Sequence, residues 1–313
     1  MTTAAPLPLD ERVGFGFMAI APDVTGARHT AEFAETHGFD SVWTGDHMAF
    51  PVPILDPLLQ LELIAAFNER ITVGTAVYLL PLRHPTPVAK QVATLDRILG
   101  GRFVFGVGVG GVSAGVRRLR RSRPRARGAA RRGDRGPEEA LDRQDRLPRR
   151  ALLPVSGGAD AADAASGGGP PIWCGGRSEA ALTRIGRLAD GWISYVVTPE
   201  RYRQGLETIA RSAERHGRRP ERLGTGHLLF AWIDDDYDRA LDAATEHLSM
   251  RYAMDFRKAA RRYAALGPPA DVATRIAQFR DAGVRHFVLD MTGPFQEREA
   301  QLERFATEVK PLL

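Results

Sequence analysis

Short apolar runs alternate with segments of helical periodicity along most of this 313-residue chain. The runs are apolar on both faces, which is typical of buried parallel strands and not of a half-exposed antiparallel sheet. Eight such strand-then-helix units favour an α/β fold of the (β/α)8 type, a TIM barrel. The predicted strands are Val13–Ile20, Ser41–Trp43, Thr72–Val77, Phe103–Val109, Ile172–Cys174, Gly191–Ser194, Gly226–Ile233 and His286–Asp290.

A doubly wound sheet is the alternative architecture. Gly106–Gly111 fits the G-x-G-x-x-G pattern that binds dinucleotides when it lies between a strand and a helix. The sequence after Gly111 shows no sustained helical period. The position about 20 residues on, where an acidic residue should bind the ribose, lies in Arg-rich sequence. We therefore favour the barrel.

One segment, Val112–Gly168, has a composition unlike the rest of the chain. It holds fourteen Arg, no Lys and seven acidic residues, a net charge of +7, whereas the whole chain carries +5. It has no aromatic residue, so it cannot build a core, and we expect it to be disordered. Three hypotheses explain it: a genuine solvated insertion, a G+C-rich coding sequence translated out of frame, or a tract that contacts polyanions without sequence specificity. In a barrel it would replace the fourth helix.

The sequence also excludes several classes of protein. The longest uncharged runs fall short of the roughly 18–20 apolar residues that a membrane helix needs. Met1–Leu9 has no Lys or Arg, and charged residues follow it at once, so we expect no signal peptide and a cytoplasmic location. The single cysteine, Cys174, excludes an internal disulfide and is expected to be a small core residue. The spacing of the histidines predicts no metal site.

Chemistry in such a barrel lies where the strands end, at the C-terminal rim. Asp46 and His47 follow the second strand and are the one adjacent carboxylate and imidazole at a strand end. His47 is a candidate proton donor or acceptor at neutral pH, with Asp46 setting its charge or contacting a ligand. The alternative is an ordinary loop-capping pair. His84, after the third strand, is a secondary candidate.

A glycine-rich turn follows the fifth strand and opens a helix. At Gly175, Gly176, Arg177 and Ser178, backbone N–H groups, the helix dipole, a hydroxyl and a guanidinium would converge, which predicts a site for an anion such as a phosphate. The alternative is a turn in which Ser178 caps the helix and nothing more.

These residues belong to longer motifs that together resemble the luciferase-like monooxygenase superfamily, and within it most closely the probable F420-dependent oxidoreductases. The resemblance covers about residues 13–111 and 169–310. The motifs are Gly38–His47, Val73–Val77, Pro81–Pro85, Leu95–Arg97, Gly101–Gly108, Pro170–Ser178 and Asp190–Trp192.

The resemblance implies one TIM-barrel domain over residues 1–313 with coenzyme F420, or alternatively FMN, at its C-terminal mouth. Thr75 and Ala76 would lie behind the ring system, where family members often have a non-prolyl cis peptide. Gly106 and Gly108 would line the pocket. Gly175, Gly176 and Ser178 would hold the cofactor phosphate, with Arg177 beside them, and Asp46 and His47 would lie near the reactive ring.

Three functions therefore remain open. The first is an F420-dependent oxidoreductase in which the cofactor carries a hydride and His47 manages a proton. The second is an FMN-dependent monooxygenase, and the third is an inactive or polyanion-binding product of a locally frameshifted gene. Family members have an ordinary helix of similar length where Val112–Gly168 stands, which favours the frame error over an insertion. We expect a small-molecule substrate and a homodimer, with no specific nucleic acid and no membrane as partner.

Overall fold

The computed structural model describes residues 12–47, 54–109 and 169–313, so the Arg-rich segment Val112–Gly168 lies outside the described residues. Within them, eight parallel strands close into a barrel, which confirms the predicted (β/α)8 architecture. A ninth strand, β8, pairs outside it. In chain order the strands are β1 Gly14–Met18, β2 Ser41–Thr44, β3 Thr72–Thr75, β4 Phe103–Val107, β5 Ile172–Cys174, β6 Gly191–Tyr195, β7 Gly224–Ile233, β8 Ala265–Gly267 and β9 His286–Met291.

Around the barrel, each strand from β1 to β6 pairs with the next one in the chain, β7 pairs with β9, and β9 closes the barrel by pairing with β1. The register runs Gly16↔Ser41 between β1 and β2, and Gly14↔His286 between β1 and β9. Because all these pairings are parallel, every strand ends on the same rim, and the residues that follow the strands share one mouth.

The helices lie outside the strands, as amphipathic segments of the predicted kind. None of the helices in the described ranges is long and apolar enough to cross a membrane. The helices are α1 Val24–Thr36, α2 Pro57–Ala65, α3 Pro85–Ile98, α4 Glu179–Leu188, α5 Pro199–Arg215, α6 Tyr237–Tyr252, α7 Arg257–Tyr263, α8 Pro269–Asp281 and α9 Arg298–Arg304.

The sequence predicts Thr86 as the cap of the helix after the third strand, and helical material over Tyr237–Ala282 with a break near Gly267–Pro269. The structure differs in both places. The cap of α3 is His84, whose Nδ1 accepts from the Thr86 N–H at 3.4 Å, and not Thr86 itself. The break expected near Gly267 is the strand β8, which pairs in parallel with the end of β7 (Ala231↔Ala265). A positive φ of 102° at Gly267, followed by two prolines, ends that strand and starts α8.

Two indole rings fill the barrel interior. Trp43 on β2 and Trp173 on β5 are buried, with ring centroids 5.9 Å apart, and pack with Val104, Ile193 and Val288. A second aromatic cluster, between the strands and the outer helices, joins β1, β9, α1 and the C-terminal segment. The barrel is therefore a packed core up to its rim, and a ligand of any size has to bind above it.

Candidate active site

The predicted site residues lie after four consecutive strands. Asp46 and His47 follow β2, Ala76 follows β3, Gly108 follows β4, and Gly175 opens the turn after β5. Since β2, β3, β4 and β5 are neighbours in the barrel, these positions form one continuous arc of the rim. Two other predicted residues lie at the ends of the strands themselves: Thr75 is the last residue of β3, and Gly106 is the last but one of β4.

Asp46 is buried and fully engaged with the segment after β3. It accepts from the Leu79 N–H at 2.8 Å, and both of its oxygens receive the guanidinium of Arg83, one of them at 3.0 Å. Arg83 in turn lies over the ring of Tyr78, 4.1 Å from its centroid. Asp46 therefore ties the loop after β2 to the loop after β3, which fixes the position of the residue that follows it.

That residue is His47, whose side chain faces solvent at the mouth. The surrounding protein still displaces part of the water around the imidazole, and this desolvation lowers the pKa of His47 below its ordinary value. The negative charge of Asp46 raises the pKa, and the positive charge of Arg251 lowers it further. An imidazole whose pKa is lowered from about 6.5 is neutral at pH 7 and is able to accept a proton.

The ends of β3 and β4 pack directly on each other. The Thr75 hydroxyl donates to the Gly106 carbonyl at 2.7 Å, and Thr75 itself is completely buried. The peptide bond between Ala76 and Val77 is cis, and these two residues are only half-buried. Thr75 and Gly106 thus support the rim from within the barrel wall, while Ala76 and Val77 remain partly open to solvent.

Gly106→Ala should lower the free energy of unfolding by about 1–3 kcal/mol, because a Cβ at this position would lie 1.7 Å from the Thr75 carbonyl oxygen. The backbone of β3 would have to move, so chemical denaturation is the measurement. Gly45→Ala is the matched control and should change stability little, because Gly45 has no positive φ and the nearest atom to a Cβ there, Met18 Cε, would lie 3.6 Å away. A Gly106→Ala protein as stable as the parent would contradict the close packing.

The turn after β5 has the shape of an anion site. Gly176 has a φ of 119°, its carbonyl accepts from the Trp192 indole N–H at 2.8 Å, and Gly176 and Arg177 are exposed. Ser178 caps α4 by accepting from the Ala181 N–H at 3.3 Å. A hydroxyl that accepts at a cap still has its own hydrogen to donate, so capping and anion binding are compatible here.

Arg177 is fixed beside this turn. Its Nη1 donates to the Val196 carbonyl at 2.8 Å, and Val196 has a φ of 53°, a left-handed conformation that β-branched residues rarely adopt. Such strain is often found where a ligand binds. The first N–H groups of α4 have no partner within the helix. Together with a hydroxyl and a guanidinium, they form a donor set that fits the phosphate of a flavin or deazaflavin.

The rest of the mouth, from the end of β6 round to the end of β9, contains further residues that the sequence does not predict. Tyr195 ends β6 and lies near Tyr252, the last residue of α6. Burial raises the pKa of both tyrosines, each tyrosine influences the pKa of the other, and the charge of Arg251 lowers the pKa of both. Arg251 forms two bonds to Asp290 near the end of β9, at 2.5 and 3.2 Å. Tyr195 and Asp290 are strand-end residues and could have been found by position, whereas nothing in the sequence places Arg251 and Tyr252 at the mouth.

Among the other candidates, His84 is occupied as the cap of α3. Cys174, at the end of β5, is half-buried and packs against the hydrophobic core, as expected for a small core residue.

Comparison with known proteins gives three results. A family model described as luciferase-like monooxygenase matches residues 12–286. An F420-dependent glucose-6-phosphate dehydrogenase of Nakamurella multipartita is 27% identical over an alignment 326 positions long, gaps included, which covers 91% of this chain and 93% of that protein. The 4-hydroxyprotoasukamycin monooxygenase of Streptomyces nodosus subsp. asukaensis is 39% identical over 83 residues, 26% of this chain and 22% of that one.

Solved structures share the architecture. The coenzyme F420-dependent tetrahydromethanopterin reductase of Methanopyrus kandleri superposes with a TM-score of 0.70 at 21% identity, covering 96% of this chain and 99% of that one. The likeness extends over the barrel as a whole and shows a common fold.

Proposed function

The chain belongs to the luciferase-like monooxygenase family of flavin- or deazaflavin-dependent oxidoreductases, and from this premise we propose that it is an F420-dependent oxidoreductase that transfers a hydride to or from a small organic substrate. The observation that carries the proposal is the arc of the rim that joins His47, the half-buried Ala76–Val77 peptide and the turn at Gly176. The similarity to an F420-dependent dehydrogenase along 91% of the chain supports F420 as the cofactor.

Each part of the arc has a separate task in this proposal. The N-terminus of α4, with Ser178 and Arg177, binds the cofactor phosphate. Ala76 and Val77 support one face of the ring system. The cofactor, when bound, supplies the hydride chemistry.

His47 handles the proton that accompanies the hydride. In its neutral form it accepts the proton of a substrate hydroxyl at one of its ring nitrogens as the adjacent carbon is oxidised, and in the reverse direction it returns that proton. Asp46, held by Arg83 and the Leu79 N–H, keeps the loop of His47 in place and exchanges no proton itself.

We expect Gly176→Val and Ser178→Ala each to raise the dissociation constant for F420 by roughly tenfold or more, because they block close approach to the backbone and remove a donor to an oxyanion. Fluorescence titration of F420 measures the effect. Thr198→Ala is the matched control, since Thr198 caps α5 in the same way by accepting from the Arg201 N–H. Equal affinities in the Ser178 and Thr198 variants would limit Ser178 to helix capping.

An FMN-dependent monooxygenase is the second candidate. The 39% identity to 4-hydroxyprotoasukamycin monooxygenase over 83 residues favours it locally. The same arc of the rim would hold FMN through its phosphate, so the two candidates differ in the cofactor that binds and in whether oxygen is consumed.

A further inference from the structure

Two buried guanidinium groups share one carboxylate at the edge of the mouth. Asp290 accepts both bonds from Arg251, and Arg298 approaches the same carboxylate at 3.6 Å. The side chains of Arg251 and Arg298 are only 15% and 16% exposed, and that of Asp290 is 7% exposed. We call these three residues, with His247 between them, the Arg298 cluster.

His247 adds no charge to the cluster. Its Nε2 lies 3.0 Å from Arg251 Nη2 and 3.1 Å from Arg298 Nη2, so it accepts from both guanidiniums and carries no proton on that nitrogen. Burial, followed by the charges of Arg251 and Arg298, lowers the pKa of His247 to about 4. At neutral pH the cluster therefore contains two positive charges and one negative charge.

A buried charge without a counter-charge is costly, and an anion that binds beside it is stabilised correspondingly. The Nε of Arg298 is buried and has no hydrogen-bond partner among the described residues. The cluster is therefore one anion short of balance.

The cluster is continuous with the mouth through Arg251. Tyr252 follows Arg251 in α6, the charge of Arg251 acts on both Tyr252 and Tyr195, and both tyrosines are at least a third exposed. The charge of Arg251 also reaches His47, whose pKa it lowers.

Around the barrel, β6 and β7 lie between β9, which carries Asp290, and the turn after β5, so the Arg298 cluster is distinct from the turn assigned to the cofactor phosphate. Tyr195, at the end of β6, lies between the two, since Arg177 donates to the carbonyl of the next residue, Val196.

Aromatic rings flank the two tyrosines. Tyr195 packs edge to face on Phe230 with centroids 5.8 Å apart, and Tyr252 stacks on Phe256 at 5.0 Å. A single small ligand could therefore place an apolar body against these rings and a negatively charged group beside Arg298.

We infer that the Arg298 cluster binds an oxyanion of the substrate, a carboxylate or a phosphate, and that the substrates of this enzyme are small organic anions with an apolar body. This inference rests on the proposed function, because it places the substrate at a part of the mouth distinct from the turn assigned to the cofactor phosphate. Arg251, Arg298 and the tyrosine hydroxyls supply the donors.

The first test uses benzoate and its neutral analogue benzyl alcohol as probes of the intact protein, with isothermal titration calorimetry. We expect benzoate to bind at least about tenfold more tightly, since a charge-assisted contact is lost in the alcohol. Equal binding of the two would overturn the inference. Inorganic phosphate that displaces benzoate would assign the site to phosphate esters as well, and phosphate without effect would assign it to carboxylates.

The second test compares variants. Arg298→Met should weaken benzoate binding about tenfold or more, and Arg298→Lys should restore part of it. The fold should tolerate both, since Asp290 keeps its bonds to Arg251. Arg211→Met, which removes an equal charge from an exposed position on α5, is the control and should bind benzoate as the parent does. Unchanged binding in Arg298→Met would overturn the inference.

F420 titrations of the same samples separate this inference from the proposed function. F420 binding without a preference for benzoate would overturn the inference alone, and benzoate binding without F420 binding would overturn the proposed function alone. Competition between benzoate and F420 would also overturn the inference, because the cluster would then belong to the cofactor site.

Discussion

Replacing His47 by alanine should lower the turnover number by about 10²- to 10⁴-fold, the usual contribution of a positioned proton acceptor, while the affinity for F420 changes little. The reason is that His47 is neutral and exposed at the mouth, whereas the groups assigned to the cofactor phosphate follow β5. Steady-state kinetics together with an F420 titration measures the two quantities separately. His29→Ala is the matched control, because His29 is an exposed histidine on α1 paired with Glu299.

The pH profile of the parent enzyme tests the same role. If neutral His47 accepts the proton, kcat/KM in the direction of substrate oxidation should rise with pH, with an apparent pKa below the ordinary histidine value of about 6.5, and then level off. That limb should be absent in His47→Ala. A loss of F420 affinity equal to the loss of kcat/KM, with turnover unchanged, would make His47 a binding contact only.

Breaking the ion pair between Asp46 and Arg83 is the second large effect that we expect. Asp46→Asn should lower the free energy of unfolding by about 3 kcal/mol, because it leaves the largely buried Arg83 with only the more exposed Asp56, 3.8 Å away, as counter-charge. This loss lies at the lower end of the range for buried pairs, since the Arg83 side chain is 18% exposed to solvent. Denaturant unfolding is the measurement.

A double-mutant cycle with Arg83→Met isolates the pair. The two changes should be strongly non-additive, with a coupling of at least about 1 kcal/mol. Asp242→Asn, in the exposed pair with Arg257, is the matched control and should change stability little. Simple additivity of Asp46→Asn and Arg83→Met would contradict the role of this pair in joining the loops after β2 and β3.

The barrel and the arc of its rim after β2 to β5 follow from local patterns in the sequence. Strands apolar on both faces, each followed by a helix, leave few folds, and a parallel barrel brings all strand ends to one rim. Asp46, His47 and the turn at Gly176 could therefore be found by their position after a strand. The sequence favours Thr86 as the cap of α3 because histidine is not among the usual capping residues, although the Nδ1 of His84 accepts in the same way.

The Arg298 cluster could not be found in this way. Helical periodicity shows which face of α6 is apolar but not which part of the barrel that face packs against. The sequence therefore does not distinguish Arg251 from the other charged residues of an outer helix. Its contact with Asp290 joins elements 39 residues apart in the chain. The buried position of Thr75 was equally unpredictable, since a small residue at a strand end suits both a ligand surface and contact with a neighbouring strand.

The direct test of the central claim, that this mouth binds a deazaflavin for hydride transfer, is a parallel titration of the protein with F420 and with FMN. We predict that F420 binds at least about tenfold more tightly, a difference of about 1.4 kcal/mol. With F420 in its reduced form, the protein should consume no oxygen. Tighter binding of FMN, with oxygen consumed when reduced FMN is supplied, would contradict the claim and establish the monooxygenase instead.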